Sequence, residues 1–163
     1  MQLLAQLPDQ AKLWFYLADR PLSQQEEQRL RKHLTDFVGA WKAHGKELSA
    51  GFELLNHQVV VIGVDESAQV ATGCSIDGQV RFMQQMGTEF GIDFFNRKLM
   101  AYESAEGIKV QSFDAVNALI SQGMLSSDTL VLDHMAKNLG SFRNFGLLPL
   151  SDSWHMNLLQ LPA

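Results

Sequence analysis

One segment of this chain commits to a helix from its own residues. Ser23-Gln-Gln-Glu26 is a capping box, in which the Ser23 hydroxyl accepts from the Glu26 amide and the Glu26 carboxylate reaches back to the amide of Ser23. Leu30, Leu34, Phe37, Val38 and Trp41 then recur on one face at helical spacing, and Glu27 and Arg31 stand four apart on another. Gly45 is the expected C-cap, which puts His44 in the last turn, where an imidazolium favours the helix C-terminus. Strand-like runs flank this helix, so helix and sheet must share a core.

The aromatic run at residues 12–18 ends in Asp19-Arg20-Pro21 and reads as a buried strand followed by a turn. Residues 52–55 and 59–64 are β-rich and meet at Asn56-His57, a hairpin-short connection. Residues 67–75 are small and turn-forming, and Ile76, Val80, Met83, Met86 and Phe90 predict a second helix closed by Gly91. A strand at 97–102 turns back at Glu106-Gly107 into 108–110, a helix follows over 113–121, and residues 129–132 read as a last short strand. Residues 134–144 and a final segment capped by Ser151 are expected to be helical.

The expectation is one α+β domain over residues 1–163, with a mixed or antiparallel sheet and helices mainly on one face. Through residue 104 the order is β-α-β-β-α-β, the ferredoxin-like pattern, with a C-terminal extension after it.

The net charge of −5 disfavours binding to nucleic acid by counterion release. Arg29, Arg31, Lys32, Lys42 and Lys46 alternate with Glu26, Glu27 and Asp36 and read as a solvated face. Cys74 is the one cysteine, so no intramolecular disulfide can form and a reducing compartment is expected. The N-terminal residues lack the basic region of a signal peptide, and no apolar run reaches membrane-spanning length. A cytoplasmic protein without metal or cofactor is the expectation, because no His-x-x-x-His or Cys-x-x-Cys spacing occurs.

Gly73-Cys74-Ser75-Ile76-Asp77 carries the most unusual local chemistry. A cysteine just ahead of a helix lies where amides and the helix dipole favour a thiolate, and its nucleophilic use would need a base such as His44 or His155. The competing expectation is a buried small hydrophobe beside a capping Ser75 or Asp77. Asp65 and Glu66 at a strand end could join Asp77 as a carboxylate group, but adjacent strand residues point to opposite faces. His155 beside Trp154 could line a pocket. The candidates are therefore Cys74, Asp77, His44 and His155 for catalysis, and Arg20, Asp65, Ser75, Arg97 and Trp154 for binding.

The strings Asp19-Arg20-Pro21-Leu22, Trp41-Lys-Ala-His44-Gly45, Val64-Asp65-Glu66, Gly73-Cys74-Ser75-Ile76-Asp77, Phe95-Asn96-Arg97 and Ser153-Trp154-His155 together make the chain resemble a small bacterial family of unknown function. That family is often catalogued as "ABC transporter ATPase", which implies phosphate binding. The residues oppose that activity: Gly73 and Gly78 have the glycine spacing of a phosphate loop, but Gln79 stands where its lysine must be. Two functions remain in view. One is a binding or interaction domain without ATPase activity, whose partner could be a protein or a small anionic ligand; the other is a hydrolase or transferase centred on Cys74.

Overall fold

The computed structural model describes residues 2–160. Strands β1 (Gln2–Leu3), β2 (Lys12–Leu17), β3 (Lys42–Ala43), β4 (Lys46–Glu47), β5 (Ser49–Leu55) and β6 (Val59–Asp65) come before β7 (Leu99–Ser104), β8 (Gly107–Ser112), β9 (Leu130–Leu132) and β10 (Leu147–Pro149). The helices are α1 (Gln24–Ala40), α2 (Gly73–Phe90), α3 (Phe113–Ser121) and α4 (Leu139–Phe145). One four-stranded sheet has the order β1-β5-β6-β2 and the other β10-β9-β7-β8, while β3 and β4 form a separate ribbon. Every pairing is antiparallel except that of β1 with β5.

The α+β class and the antiparallel pairing agree with the sequence. The single sheet does not, because the buried residues divide into three layers of core. Tyr16, Val60 and Ile62 on one face of the first sheet meet Leu30 and Leu34 of α1 and Met83 and Phe90 of α2. Leu13, Leu17, Val59 and Val61 on the other face meet Leu99, Ala101 and Leu132 of the second sheet. Met100, Tyr102 and Val131 then face Val116 and Ile120 of α3. Helices thus cover the outer face of each sheet, and β6, with six of its seven residues buried, is apolar on both sides.

The β-α-β-β-α-β order is realised only in part. Its first three strands lie side by side as β5-β6-β2, but its last strand, β7, joins the second sheet. In a single sheet of that pattern the last strand would pair along β2. Here β2 is left as the edge of its sheet.

Two helix boundaries also move. The Ser23–Glu26 capping box forms as expected, but α1 stops at Ala40 and Trp41 turns extended, burying its indole. Its indole N–H donates to the Ser75 carbonyl at 2.9 Å, and Phe37 stacks on Phe82 with ring centroids 4.4 Å apart, so contact with α2 outweighs one more helical turn. His44 and Gly45, both at positive φ, make the tight turn of the β3–β4 ribbon. At the C-terminus the expected helix is replaced by 3-10 turns at Leu150–Asp152 and Trp154–Leu158, the second capped by Ser153 and not Ser151.

Candidate functional site

The turn at residues 73–77 is the start of α2 itself. Thr72 caps it: the Thr72 amide donates to Ser75 Oγ at 2.8 Å, and Thr72 Oγ1 accepts from the Ser75 amide at 3.4 Å. Cys74 therefore stands in the first helical turn and is exposed, not buried as a small hydrophobe would be. Among the described residues no hydrogen bond joins it to a histidine. Ser75 is buried and spent on the cap, its hydroxyl donating to the Thr72 carbonyl at 2.8 Å, and Asp77 lies exposed beyond it without a capping role.

Three further candidates serve the fold where they stand. Arg20 makes a bidentate pair with Glu26 at 3.0 and 2.8 Å and also donates to the Phe90 carbonyl, so it ties the start of α1 to the end of α2. That guanidinium, with the Ser23 amide, holds the Glu26 carboxyl down at about 2. Asp65 accepts from the amide and hydroxyl of Ser67 at 3.0 and 2.9 Å, closing the loop after β6, and Glu66 accepts from the Ala71 amide at 3.0 Å. His44 sits at the exposed tip of the ribbon, away from any helix end. Among the described residues no three His, Cys, Asp or Glu side chains gather as metal ligands would.

Arg97 and Trp154, in contrast, come together. They line a cleft of about 460 Å³ with Phe15, Tyr16, Leu17, Phe95, His134 and Met135. Three of its large apolar residues are well exposed, Phe95 at 41%, Met135 at 65% and Trp154 at 36%. Such exposure gathered at one concavity marks a binding surface more than it marks ordinary surface scatter. Arg97 is exposed at the rim and, like Arg81, has no ion-pair or hydrogen-bond partner among the described residues, whereas Arg20, Arg29, Arg31 and Arg143 are paired.

His155 lies behind Trp154, outside the lining of the cleft. It is fully buried, stacked on the indole with centroids 3.8 Å apart, and its Nδ1 lies 2.6 Å from Ser153 Oγ. His134 packs on both rings, 5.1 Å from Trp154 and 5.2 Å from His155. Burial, with the neighbouring His134 as the lesser cause, pushes the His155 imidazole down to about 4; burial also lowers that of His134. Nε2 of His155 and Nδ1 of His134 are buried without a hydrogen-bond partner among the described residues. Each of these neutral imidazoles thus keeps one hydrogen-bonding nitrogen unused inside the fold.

The sequence reading missed His134, Phe95, Met135 and Tyr16 as members of this group. Tyr16 and Phe95 meet edge to face at 5.6 Å, and the four come from β2 and two loops. Periodicity cannot signal such a cluster. The strings Phe95-Asn96-Arg97 and Ser153-Trp154-His155 were the available pointers.

A second cleft of about 650 Å³ adjoins the first and shares Phe15, His134 and Met135 with it; Lys12, Glu66, Lys137 and Asn138 are among its walls. No helix among the described residues is long and apolar enough to cross a membrane. No protein-family model matches the chain, and neither a curated protein nor a solved structure does.

Proposed function

We propose that this chain is a non-catalytic binding domain, without ATPase activity, whose ligand or partner sits in the cleft between Phe95, Arg97 and Trp154. One observation carries the reading: an unpaired guanidinium shares a concavity with three exposed large apolar side chains and the ring of His134. An anionic group suits Arg97, and an apolar body suits the rings. Adjacent core layers share the strands of a sheet, which supports treating residues 1–163 as one domain. An exposed free thiol at Cys74 suits a reducing, cytoplasmic setting.

The alternative, a hydrolase or transferase centred on Cys74, retains the accessibility of that thiol as support and lacks a base hydrogen-bonded to it. A screen of small aromatic and aliphatic carboxylates, followed by amide chemical shifts, separates the two. We expect shifts at Phe95, Arg97, His134 and Trp154 that Arg97→Glu abolishes and Cys74→Ser leaves alone. Shifts centred on Cys74, or none at the cleft, would overturn the reading.

A further inference from the structure

The floor of the cleft is the unpaired edge of a strand. The register sets Ala18 opposite Gln58, and the Ala18 amide donates to the Gln58 carbonyl at 2.8 Å. Antiparallel pairing alternates, so Lys12, Trp14 and Tyr16 spend their backbone groups on β6, while those of Leu13, Phe15 and Leu17 point outward from the sheet. One end of this edge is closed by the chain itself. The Ala11 carbonyl accepts from the Leu139 amide at 2.9 Å and Lys12 bridges to Asn138, after which the segment departs.

Beyond that point, among the described residues, no backbone hydrogen bond covers the outward groups of Phe15 and Leu17, and both residues line the cleft. The open length, Trp14 to Leu17, is roughly 13 Å at about 3.3 Å per residue. This is the place beside β2 that the last strand of a ferredoxin-like sheet would fill and that β7 leaves empty.

The charges around this edge run against those of the chain. Lys12, Lys137 and Arg97 border the two joined clefts, Glu66 is the one carboxylate among their walls, and the whole chain carries −5. Glu66 is moreover engaged by the Ala71 amide.

We propose, resting on the cleft reading above, that the partner is an extended acidic peptide segment of another protein that adds to β2 as a further strand. Its backbone pairs with Phe15 and Leu17, one of its apolar side chains seats against Phe95 and Trp154, and its carboxylates meet Arg97 and Lys137.

The test uses blocked hexapeptides in which Glu alternates with Val, Leu or Phe, a matching set with Lys for Glu, and two sets N-methylated on alternate amides. Titration gives affinity, and hydrogen exchange reads the Phe15 and Leu17 amides. We expect the Glu set to bind, the Lys set to bind at least about tenfold more weakly, and exchange at Phe15 and Leu17 to slow by about tenfold or more. One N-methylated set should lose binding and the other keep it, because only every second amide faces the edge. Arg97→Glu with Lys137→Glu should reverse the charge preference. Binding in the cleft with both N-methylated sets equal and exchange unchanged would overturn strand addition while the cleft reading stands. No hexapeptide shifting any cleft resonance would overturn the proposal, and the carboxylate screen then decides separately whether the cleft reading falls with it.

Discussion

The two sheets are joined differently at their two sides. On one, the hairpin tips are stitched: Asn56 Nδ2 donates to the Glu106 carbonyl at 3.1 Å, and the buried Gln58 amide accepts from the Val110 N–H at 3.3 Å and donates to its carbonyl at 3.5 Å. On the other, beside β2, an arginine, two imidazole nitrogens and a strand edge have no partners among the described residues. The contrast separates polar groups that finish the fold at this seam from groups left unpaired there, as the buried Gln79 amide of α2 also is. A buried polar group without a partner costs about 1 to 3 kcal/mol, so the open side is held at some expense in stability.

The largest effect expected from breaking this contrast is acid sensitivity confined to the open side. Because folding lowers the His155 imidazole from its ordinary value to about 4, the unfolded chain binds the extra proton between about pH 6.5 and pH 4. Stability is therefore complete above that window and falls through it, by about 3 kcal/mol at most. Denaturant titrations from pH 7 to pH 4 should show this slope, and His155→Leu should flatten it. The Glu26 carboxyl, lowered to about 2 by Arg20, acts in a separate window: its contribution is present above its ordinary value and is lost as pH falls toward 2.

Next in size comes Gly107→Ala on the stitched side. Gly107 has φ +102°, and an added Cβ would lie 2.0 Å from Asn56 Nδ2, so about 2 to 3 kcal/mol should be lost and the Asn56 clasp displaced. Gln58→Ala should cost about 2 kcal/mol, since the Val110 N–H then stays buried and unpaired. Arg97→Ala should change stability by less than about 0.5 kcal/mol, because that guanidinium supports nothing in the fold. A loss above about 1 kcal/mol at Arg97 would erase the distinction between the two sides.

What could be read from the sequence follows the range of the interactions involved. The Ser23 cap, the hairpin turn at Asn56 and His57, and the Gly91 helix end, with φ +62°, are set by neighbours a few residues away and were legible. The end of α1 was not, because Trp41 leaves the helix for a bond to Ser75, thirty-four positions away. Nor was the division into two sheets: β7 has the alternation of any strand, and nothing local says which edge it will choose. Of the candidate residues, Arg97, Trp154 and His155 converge, while Arg20, Asp65 and Ser75 resemble site residues in type but are consumed by local caps and ties. The sequence shows that a polar group is present, and only the fold shows whether it is already satisfied.

The open edge of β2 also has to choose between self and other. Two copies meeting edge to edge would form a continuous eight-stranded sheet from their two first sheets, the geometry from which domain-swapped dimers and fibres grow. Lys12 and Arg97 flank that edge, so each copy would press its cations against the other's, and the repulsion would weaken only as salt screens it. The same charges that would draw in an acidic strand would also oppose pairing of two copies along this edge.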